Sequence, residues 1–508
     1  MAPHGCGSGT LAAVDTVWVL GDQLDRRIPP LAGRAPGDGP VLMVVSRAAL
    51  DRRTWHRQRL HLVLAAMRRF ADELRADGFD VDLRHAPTLL AGLADHRREH
   101  GPERVVAMEP SSWDLRRSLA GAGVELVRSD RFLCHPDEFR AWAEGRARLT
   151  MEDFYRWQRR RLGVLMDGDE PAGGRWNFDA ANRERPPRDG RAWPAASATP
   201  LDDLDHEVLA ALPGHVVGAD PVGIWPTTRA AAIAALHAFV AEGLPRFGPH
   251  EDAMLAGEWK LAHSLLSPAL NLGLLHPAEV VEAAEAAFRG GRVPIESAEG
   301  FIRQVIGWRE FVWGVYWLWM PGYRELDELG ADRPLPPVFR GEAPTEMACL
   351  ANVLAKVDAY GWAHHIERLM VLGNLALLAG TRPAELVDWM TGRFVDGAEW
   401  VMLPNVVGMA LHADGGRMAT KPYAAGGAYM NRMSDHCRGC RFDPARRTGP
   451  DACPFTTLYW DFIARHERRF GANHRMARQV AGLRRLADLD AVRERAAEVR
   501  ARLEAGAL

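Results

Sequence analysis

Three of the six cysteines lie close together near the end of the chain. Cys437 and Cys440 form a Cys-x-x-Cys pair, and Cys453 follows, with Pro454 directly after it. Thiolates in this arrangement bind zinc or an iron–sulfur cluster, and the spacing alone leaves both metals open. The zinc alternative would make the chain a zinc-stabilised nucleic acid-binding protein. In either case a fourth ligand must come from elsewhere.

Two adjacent histidines, His364 and His365, precede Arg368 in the largely apolar segment YGWAHHIERLMVLGNLALLAG. Adjacent residues on a helix point about 100° apart, so two such histidines rarely share one metal ion. A single buried histidine is commonly a core residue, whereas two in one apolar helix indicate proton transfer.

Two further segments have features of a cofactor site. Ser267-Pro268 in AHSLLSPALNLGLL predicts a helix start, whose backbone amides suit a phosphate. The segment FIRQVIGWREFVWGVYWLWM surrounds Arg309 with aromatic residues. It predicts either a buried core helix or the wall of a site for a planar cofactor.

The elements that must position these residues differ between the two halves of the chain. Short Val-rich runs such as VLMVVS alternate with helical segments over residues 13–140. This alternation predicts a doubly wound, Rossmann-like α/β domain with a parallel sheet. Gly21-Asp22 follow the first strand in place of a GxGxxG motif. The simple dinucleotide-binding hypothesis therefore fails.

Residues 141–225 predict an interdomain linker that contains one helical segment and a long loop rich in Gly, Pro and charge. A solvated linker and a DNA-contacting segment are equally good interpretations. The candidate DNA contacts are Arg160, Arg161 and Arg183. From there on, residues 226–508 predict an all-α domain.

The composition limits the possible functions. The formal net charge of the 508 residues is −3, so nucleic acid would have to bind at a local basic patch. Apolar runs are too short for a membrane span, and no signal peptide is recognisable. Six cysteines in so long a chain do not indicate a disulfide framework. We expect a cytoplasmic protein with mostly reduced thiols.

Four motifs, in order after the α/β domain, resemble the flavin domain of the photolyase/cryptochrome superfamily: HSLLSPALNLG, RQVIGWREF, GWAHHIERL and LPNVVGM. The run TKPYAAGGAYMNRMSDHC and the cysteines narrow the resemblance to the iron–sulfur bacterial branch. That branch contains the prokaryotic (6-4) photolyases and related cryptochromes. The resemblance extends over nearly the whole chain.

The resemblance implies a bound FAD inside the helical domain. Arg368 matches an arginine beside the flavin, with Glu399 as its expected partner, and Asn405 matches a residue that faces the flavin N5. The remaining cofactor-binding residues that it implies are Ser264, Leu265, Leu266 and Ser267 at the pyrophosphate, and Gln304, Trp308 and Arg309 along the cofactor.

The resemblance also implies light-driven repair of UV-damaged DNA that carries (6-4) photoproducts. His365 matches the proton donor, with His364 and Tyr423 in support, and Leu369 stands where eukaryotic relatives carry a second histidine. Trp389 and Tyr429 match electron-transfer residues. The alternative is a blue-light-sensing cryptochrome with the same cofactors and no repair. In both cases we expect a monomer.

Two other groups follow from the resemblance. Cys349 matches the fourth ligand of a [4Fe–4S] cluster, which would join it to an iron–sulfur module at about residues 430–508. The branch usually binds an antenna, 6,7-dimethyl-8-ribityllumazine, near Gly21 and Asp22. Relatives carry acidic residues on the second strand, where this chain has VLMVVSRAALDRR, and this difference argues against an antenna.

Overall fold

The computed structural model describes residues 15–508. It begins with a five-stranded sheet in the order β3-β2-β1-β4-β5, in which every pair of neighbours is parallel. The strands are β1 (Thr16–Trp18), β2 (Val41–Ser46), β3 (Val81–Ala86), β4 (Val105–Met108) and β5 (Glu125–Val127). The order reverses between β1 and β4, which is where doubly wound sheets open a crevice. The predicted α/β domain is confirmed.

The helices that accompany this sheet, and those of the following segment, are short apart from α3. Its apolar residues, among them Leu62 and Phe70, recur at helical spacing and are buried. The bounds are α1 (Pro29–Ala32), α2 (Arg47–Asp51), α3 (Arg57–Ala76), α4 (Leu89–His100), α5 (Trp113–Gly121), α6 (Pro136–Ala143), α7 (Met151–Leu162) and α8 (Asp203–Ala210).

The segment at 141–225 is partly packed into the rest of the molecule. Helix α7 begins at the cap of Thr150 and ends at Gly163, whose φ of 69° is left-handed. Tyr155 on α7 is fully buried and donates a hydrogen bond to Glu299 at 2.9 Å. A small hairpin follows, formed by β6 (Met166–Asp167) and β7 (Glu170–Pro171). Helix α7 thus belongs to the helical body rather than to a free connection.

The second half is helical, as the sequence predicts, and none of the helices in residues 15–508 is long and apolar enough to cross a membrane. The bounds are α9 (Arg229–Ala238), α10 (Leu244–Phe247), α11 (Ser267–Leu272), α12 (Pro277–Arg289), α13 (Ile295–Ile302), α14 (Glu310–Trp319), α15 (Ala348–Tyr360), α16 (Asn374–Ala379), α17 (Pro383–Arg393), α18 (Glu399–Pro404), α19 (Gly427–Met433), α20 (Pro454–Arg465), α21 (Glu467–Gly471), α22 (Ala477–Leu483) and α23 (Leu489–Glu504).

Four π-helical turns interrupt this domain, which is unusual because π-helix is rare. They occupy Phe239–Gly243, Arg303–Arg309, Glu367–Gly373 and Asn405–Ala410. Each continues directly from, or into, an α-helix, so it widens the helix locally without ending it. Such turns frequently mark functional sites.

Candidate functional site

Three of the four π-helical turns contain residues that the resemblance assigns to the cofactor. Gln304, Trp308 and Arg309 lie in the first of these turns, Arg368 in the second and Asn405 in the third. A π turn displaces side chains from regular helical positions, so it can direct polar groups into a space that an α-helix would fill. The sequence pattern gave no sign of these turns.

Arg368 is held by a carboxylate. Its guanidinium donates to Asp396 at 2.9 and 3.1 Å and lies over the ring of Phe394 at 4.0 Å. The Ser267 hydroxyl donates to the same carboxylate at 2.7 Å, and the Asn271 amide donates to the Asp396 carbonyl at 3.0 Å. This network therefore joins Arg368 to the SLLSP segment, as one cofactor site requires.

Glu399, the expected partner of Arg368, lies elsewhere, and that pairing is wrong. Its carboxylate accepts hydrogen bonds from Arg324 at 3.0 Å and Tyr316 at 3.3 Å. Arg324 also binds Asp114 on α5, so Glu399 belongs to the contact between α18 and the α/β domain. The physical reason is position: Asp396 precedes α18 and faces Arg368, whereas Glu399 begins α18 and faces α14.

The SLLS segment is a strained turn. Leu265 has a φ of 58°, a left-handed conformation that costs a non-glycine residue about 1–3 kcal/mol. The Ser264 hydroxyl accepts a hydrogen bond from the Leu266 amide at 3.4 Å, and Ser267 begins α11. Strain of this kind recurs at ligand clamps. A serine-rich turn at a helix start fits the phosphates of a dinucleotide cofactor.

The other residues of the predicted cofactor site have different partners. The Gln304 amide donates to Glu251 at 2.8 Å, and Asn405 donates to the Val401 carbonyl at 2.7 Å. Trp308 is half-buried against the large helical core. Arg309 lies over Phe132 of the α/β domain at 4.0 Å and pairs with Glu310 at 3.2 Å. Whether Arg309 lines a cofactor stays a prediction.

The histidines form a larger cluster than the sequence suggested. His263 stacks on His364, with ring centroids 4.7 Å apart, and its ring lies 5.6 Å from that of His365. His364 precedes the helix that begins at His365, so the helical 100° argument does not apply and the two rings lie only 6.0 Å apart. His365 donates to Asp252 at 3.2 Å.

The three histidines of this cluster differ in the direction in which their pKa values are shifted. Burial lowers the pKa of His263 to about 3 and holds the pKa of His364 well below its usual range. Burial also opposes protonation of His365, but the hydrogen bond and charge of Asp252 outweigh it, so the pKa of His365 is raised. Its side chain is 47% exposed. Of the three histidines, His365 is therefore the one suited to carry and deliver a proton.

Tyr423, Tyr429 and Arg183 lie in the same neighbourhood. The pKa of both tyrosine hydroxyls is raised, mainly by burial and further by the charge of Asp252, so both stay protonated. Arg183 pairs with Asp179 at 2.5 Å and lies 3.8 Å from Asp252. The structure thus brings the predicted DNA contact Arg183 beside the carboxylate that holds His365.

Arg160 and Arg161 have other contacts. The Arg160 guanidinium lies over Trp176 at 4.4 Å, and Arg161 donates to Gln158 at 2.9 Å. Both residues lie in the last turn of α7, where positive charge favours the helix dipole. Their role in DNA binding stays a prediction.

One aromatic ring, Phe394, lies between Trp389 and Arg368. It packs edge-on against Phe394, with centroids 5.9 Å apart, and Phe394 is the ring beneath Arg368. Its indole donates to the Phe339 carbonyl at 2.6 Å. This packing is compatible with electron transfer toward the Arg368 network.

The four predicted cysteine ligands come together. Cys349 lies in the first turn of α15, Cys453 directly precedes α20, and both are buried. Burial and then the nearby charges of Cys453, Cys437 and Cys440 raise the pKa of Cys349. Arg441 also pairs with Glu346 at 2.6 Å, which ties the Cys437–Cys440 turn to the start of α15.

The four thiols are not gathered as closely as a single zinc ion requires. Within residues 15–508, the groups of ligand atoms that converge within 4.8 Å of one another do not include these cysteines. A tetrahedral zinc site requires sulfurs roughly 3.8 Å apart, given Zn–S bonds of about 2.3 Å. Four thiols with a wider spacing fit the larger [4Fe–4S] group.

The crevice between β1 and β4 is lined by residues from both domains, namely Asp22, Gln23, Ser111, Arg131, Phe132 and Trp313. Phe132 and Trp313 stack in it at 3.8 Å, and the Ser111 hydroxyl donates to Asp22. At the end of β2, Val45, Arg47 and Ala49 supply no carboxylate. The second strand therefore lacks the acidic groups that the resemblance expects there, whereas Asp22 and Glu109 line the crevice itself.

Sequence reasoning missed His263, Asp252 and Asp396. His263 stands inside the quoted AHSLLSP motif, so its presence beside the serines was an available signal. Asp252 and Asp396 occur in loops without a recognisable pattern, and only the folded structure brings them to His365 and Arg368.

Comparisons with known proteins agree with this architecture. Residues 17–219 match a family model described as deoxyribodipyrimidine photo-lyase-related protein. A (6-4) photolyase of Agrobacterium fabrum (strain C58) is 42% identical over 488 residues, which cover 93% of this chain and 96% of the relative.

Two solved structures share the fold. A bacterial class III photolyase from Agrobacterium tumefaciens superposes with a TM-score of 0.57 and 19% identity, covering 99% of this chain and 100% of that one. A cryptochrome from Synechocystis sp. PCC6803 gives a TM-score of 0.51 and 13% identity, covering 78% of this chain and 82% of that one. The fold is that of the photolyase/cryptochrome class.

Within that class, the chain belongs to the photolyase-related family that includes the Agrobacterium (6-4) photolyase. The family is one of flavin-binding proteins. Ser267 and Arg368 of the Arg368–Asp396–Ser267 network stand in motifs that carry the resemblance, and Asp396 joins them from outside those motifs.

Proposed function

We propose that the protein is a DNA photolyase that repairs (6-4) photoproducts in UV-damaged DNA with FAD as its cofactor. The observation that carries this proposal is the hydrogen bond between His365 and Asp252 at 3.2 Å. His365 is the half-exposed member of an otherwise buried histidine cluster. The likeness to a (6-4) photolyase over 93% of the chain supports it.

The FAD would be held by the network around Arg368. Ser264 and Ser267 would contact its phosphates at the strained turn of Leu265, and Arg368 with Asn405 would lie beside its ring system. Reduced FAD, when bound, supplies an electron on excitation by blue light. Trp389 and Tyr429 would serve its photoreduction. An antenna is not part of the proposal.

The chain itself supplies a proton. A (6-4) lesion must regain a hydroxyl group on its original base, and this transfer needs a proton donor at the lesion. The charge of Asp252 keeps His365 protonated to a higher pH than usual, and Tyr423 offers a neutral hydroxyl nearby. Because Leu369 replaces the second histidine of eukaryotic relatives, His263 and His364 are the remaining imidazoles beside the donor.

The damaged base must leave the duplex to reach His365. Flipping is less costly for a lesion than for a normal base, because pairing and stacking are already impaired. Arg183, whose side chain is 60% exposed and lies beside Asp252, is placed to contact a phosphate of the flipped strand.

We also propose that Cys349, Cys437, Cys440 and Cys453 hold a [4Fe–4S] cluster. The support is the convergence of the four cysteines, no three of whose sulfurs lie within 4.8 Å of one another, which leaves room for the larger group. The cluster would fasten α15 to the segment between α19 and α20. In the Cys349→Ala variant we expect the loss of iron and sulfide, and with them the loss of the broad visible absorption of the cluster. Retention of four iron atoms would show that Cys349 is not a ligand.

The repair proposal is tested with photoreduced protein and an oligonucleotide that contains one (6-4) photoproduct. Blue light should restore the two pyrimidines in the wild type. His365→Ala should lose at least about 10²-fold in repair rate and keep its FAD, whereas His206→Ala, on the exposed face of α8, should repair normally. A wild type that leaves the lesion unchanged would favour the cryptochrome alternative.

A further inference from the structure

The Asp252 loop, which connects α10 to α11, is hydrogen-bonded to the end of α19 and to the residues after it. The Met254 amide donates to the Met433 carbonyl at 2.9 Å, and the Ala256 amide donates to the Asp435 carboxylate at 2.9 Å. Met433 is the last residue of α19, and the Cys-x-x-Cys pair begins two residues after Asp435. The segment that leads into this pair of cysteines therefore holds the Asp252 loop.

Helix α15 holds the same loop through two side chains. The Asn352 amide donates to the Ala256 carbonyl at 3.0 Å, and the Lys356 ammonium donates to the Leu255 carbonyl at 3.1 Å. These two side chains are four residues apart and lie on one face of the helix. Cys349 precedes Asn352 by three residues on the same helix, which is less than one turn. Two cysteine-bearing segments thus bind within three consecutive residues of the Asp252 loop.

Asp252 lies between these contacts and a second set. Directly before it, Glu251 accepts hydrogen bonds from Gln304 at 2.8 Å and from Asn182 at 3.1 Å. The backbone is therefore fixed on both sides of Asp252. A hydrogen bond weakens steeply as its length and angle depart from the best geometry, so a displaced loop would weaken the bond of 3.2 Å from His365 to Asp252.

We propose that Asn352 and Asp435 are positioning residues for the Asp252–His365 pair, and that the four-cysteine site regulates repair through them. This role rests on the proposed repair function and on the proposed [4Fe–4S] cluster. Joining the four cysteines fastens α15 to the segment after α19, so the loop that is bound to both keeps its place. Release of the cysteines frees the two segments from each other, and Asp252 then moves away from His365.

The groups around His365 determine how its protonation responds to such a movement. They are Asp252, Glu251 and Arg303, with the neutral rings of His263 and His364 beside them. Arg183 additionally faces Asp252. Burial lowers the pKa of His365, but the hydrogen bond and charge of Asp252 raise it more. The weaker effects of Glu251 and Arg303 have opposite signs. Displacement of Asp252 therefore lowers the pKa of His365.

Hydrogen exchange of the holoprotein, with FAD and iron bound, tests these contacts directly. The Met254 and Ala256 amides should exchange slowly in the wild type. Asp435→Ala removes the acceptor of the Ala256 amide and should raise its exchange rate at least about 10-fold, whereas Asp435→Asn keeps an acceptor oxygen and should preserve the protection. Asp38→Ala is the matched control, because Asp38 accepts a backbone amide in a loop of the α/β domain. Wild-type exchange in Asp435→Ala would overturn the proposal.

Asn352→Ala keeps the test decisive if Asp435→Ala loses its iron or does not fold. It removes the hydrogen bond from α15 to the Ala256 carbonyl, and residues 254–256 should likewise exchange faster. Wild-type protein from which a chelator has removed the iron should show the same faster exchange, because its two segments are no longer joined. Unchanged exchange in the iron-free protein would overturn the regulation by the four-cysteine site.

Titration of His365 by NMR of isotope-labelled histidine distinguishes positioning from a merely structural role. In Asp435→Ala and Asn352→Ala the pKa of His365 should fall, and the decline of repair with rising pH should begin at a lower pH than in the wild type. A structural defect would lower the repair rate equally at all pH values and leave this pKa unchanged, which would overturn the proposal. If the pKa falls as expected but the wild type leaves the lesion unrepaired, the positioning role stands and the proposed repair function is wrong.

Discussion

At the scale of single residues, Asp252 decides how the histidine cluster behaves. His263, His364 and His365 lie close together, yet only His365 has a carboxylate within hydrogen-bond distance of its ring. The other two are buried without such a partner and stay neutral. One side chain from a loop without any motif therefore sets which imidazole holds a proton.

Asp252→Asn should shift the pH dependence of repair. The aspartate raises the pKa of His365, so the protonated donor persists to higher pH than an isolated histidine would allow. Without the charge the pKa falls, and the decline of the repair rate with rising pH should begin at lower pH. Repair rates of wild type and variant between pH 5.5 and 9 measure this. Superimposable profiles would contradict the role of Asp252.

At the scale of elements, the π-helical turns show what the sequence could not reveal. The apolar spacing around Gln304 and Arg368 predicts helices, and helices form there. A π turn adds one residue to a helical turn and so shifts the side chains that follow, but apolar spacing over so few residues does not reveal where the extra residue falls. The sequence therefore predicted the fold, but not which direction the side chains of the candidate site take or which carboxylate they meet.

The choice between Asp396 and Glu399 illustrates the same limit. Both carboxylates follow α17 closely, and the motif resemblance suggested the second as the partner of Arg368. The chain turns before α18, so Asp396 faces Arg368 while Glu399 faces α14. Such a difference of three residues depends on the tertiary path of a loop, which local propensities do not determine.

Asp396→Asn should therefore weaken FAD binding about 10- to 100-fold, because Arg368 loses its partly buried counter-charge. Glu399→Gln is the matched control: it removes the same charge three residues away and should leave FAD binding nearly unchanged. The ratio of FAD to protein after dialysis, and FAD titration of the apoprotein, measure both. Greater loss of FAD from Glu399→Gln would refute the assignment.

At the scale of the whole molecule, a buried charge joins the two domains. Glu310 at the start of α14 is fully buried and accepts a hydrogen bond from the Cys134 amide at 2.9 Å. Arg309 beside it reaches Phe132 of the same segment. Burial raises the pKa of Glu310 to about 7. The carboxylate loses more hydration energy on burial than the charge of Arg309 and the backbone hydrogen bonds restore.

This burial predicts how stability changes with pH. The folded state keeps the Glu310 proton between the unfolded pKa of about 4.3 and about 7, so the free energy of unfolding falls as pH rises through that window. Glutamine cannot ionise, so the free energy of unfolding of the Glu310→Gln variant should fall by about 1–3 kcal/mol less than that of the wild type between pH 5 and 8. Urea unfolding of both proteins at the two pH values measures this. Equal slopes would show that Glu310 ionises normally in the fold.

The four thiols connect the start of α15 to a segment more than eighty residues later in the chain. If they hold iron as proposed, the last part of the protein must be synthesised, and iron delivered, before the helix that leads to His364 is fastened at its far end. A cell short of iron would then accumulate chains with an intact flavin motif and a loose helix. The tolerance of such a cell to ultraviolet light would then depend on its iron supply.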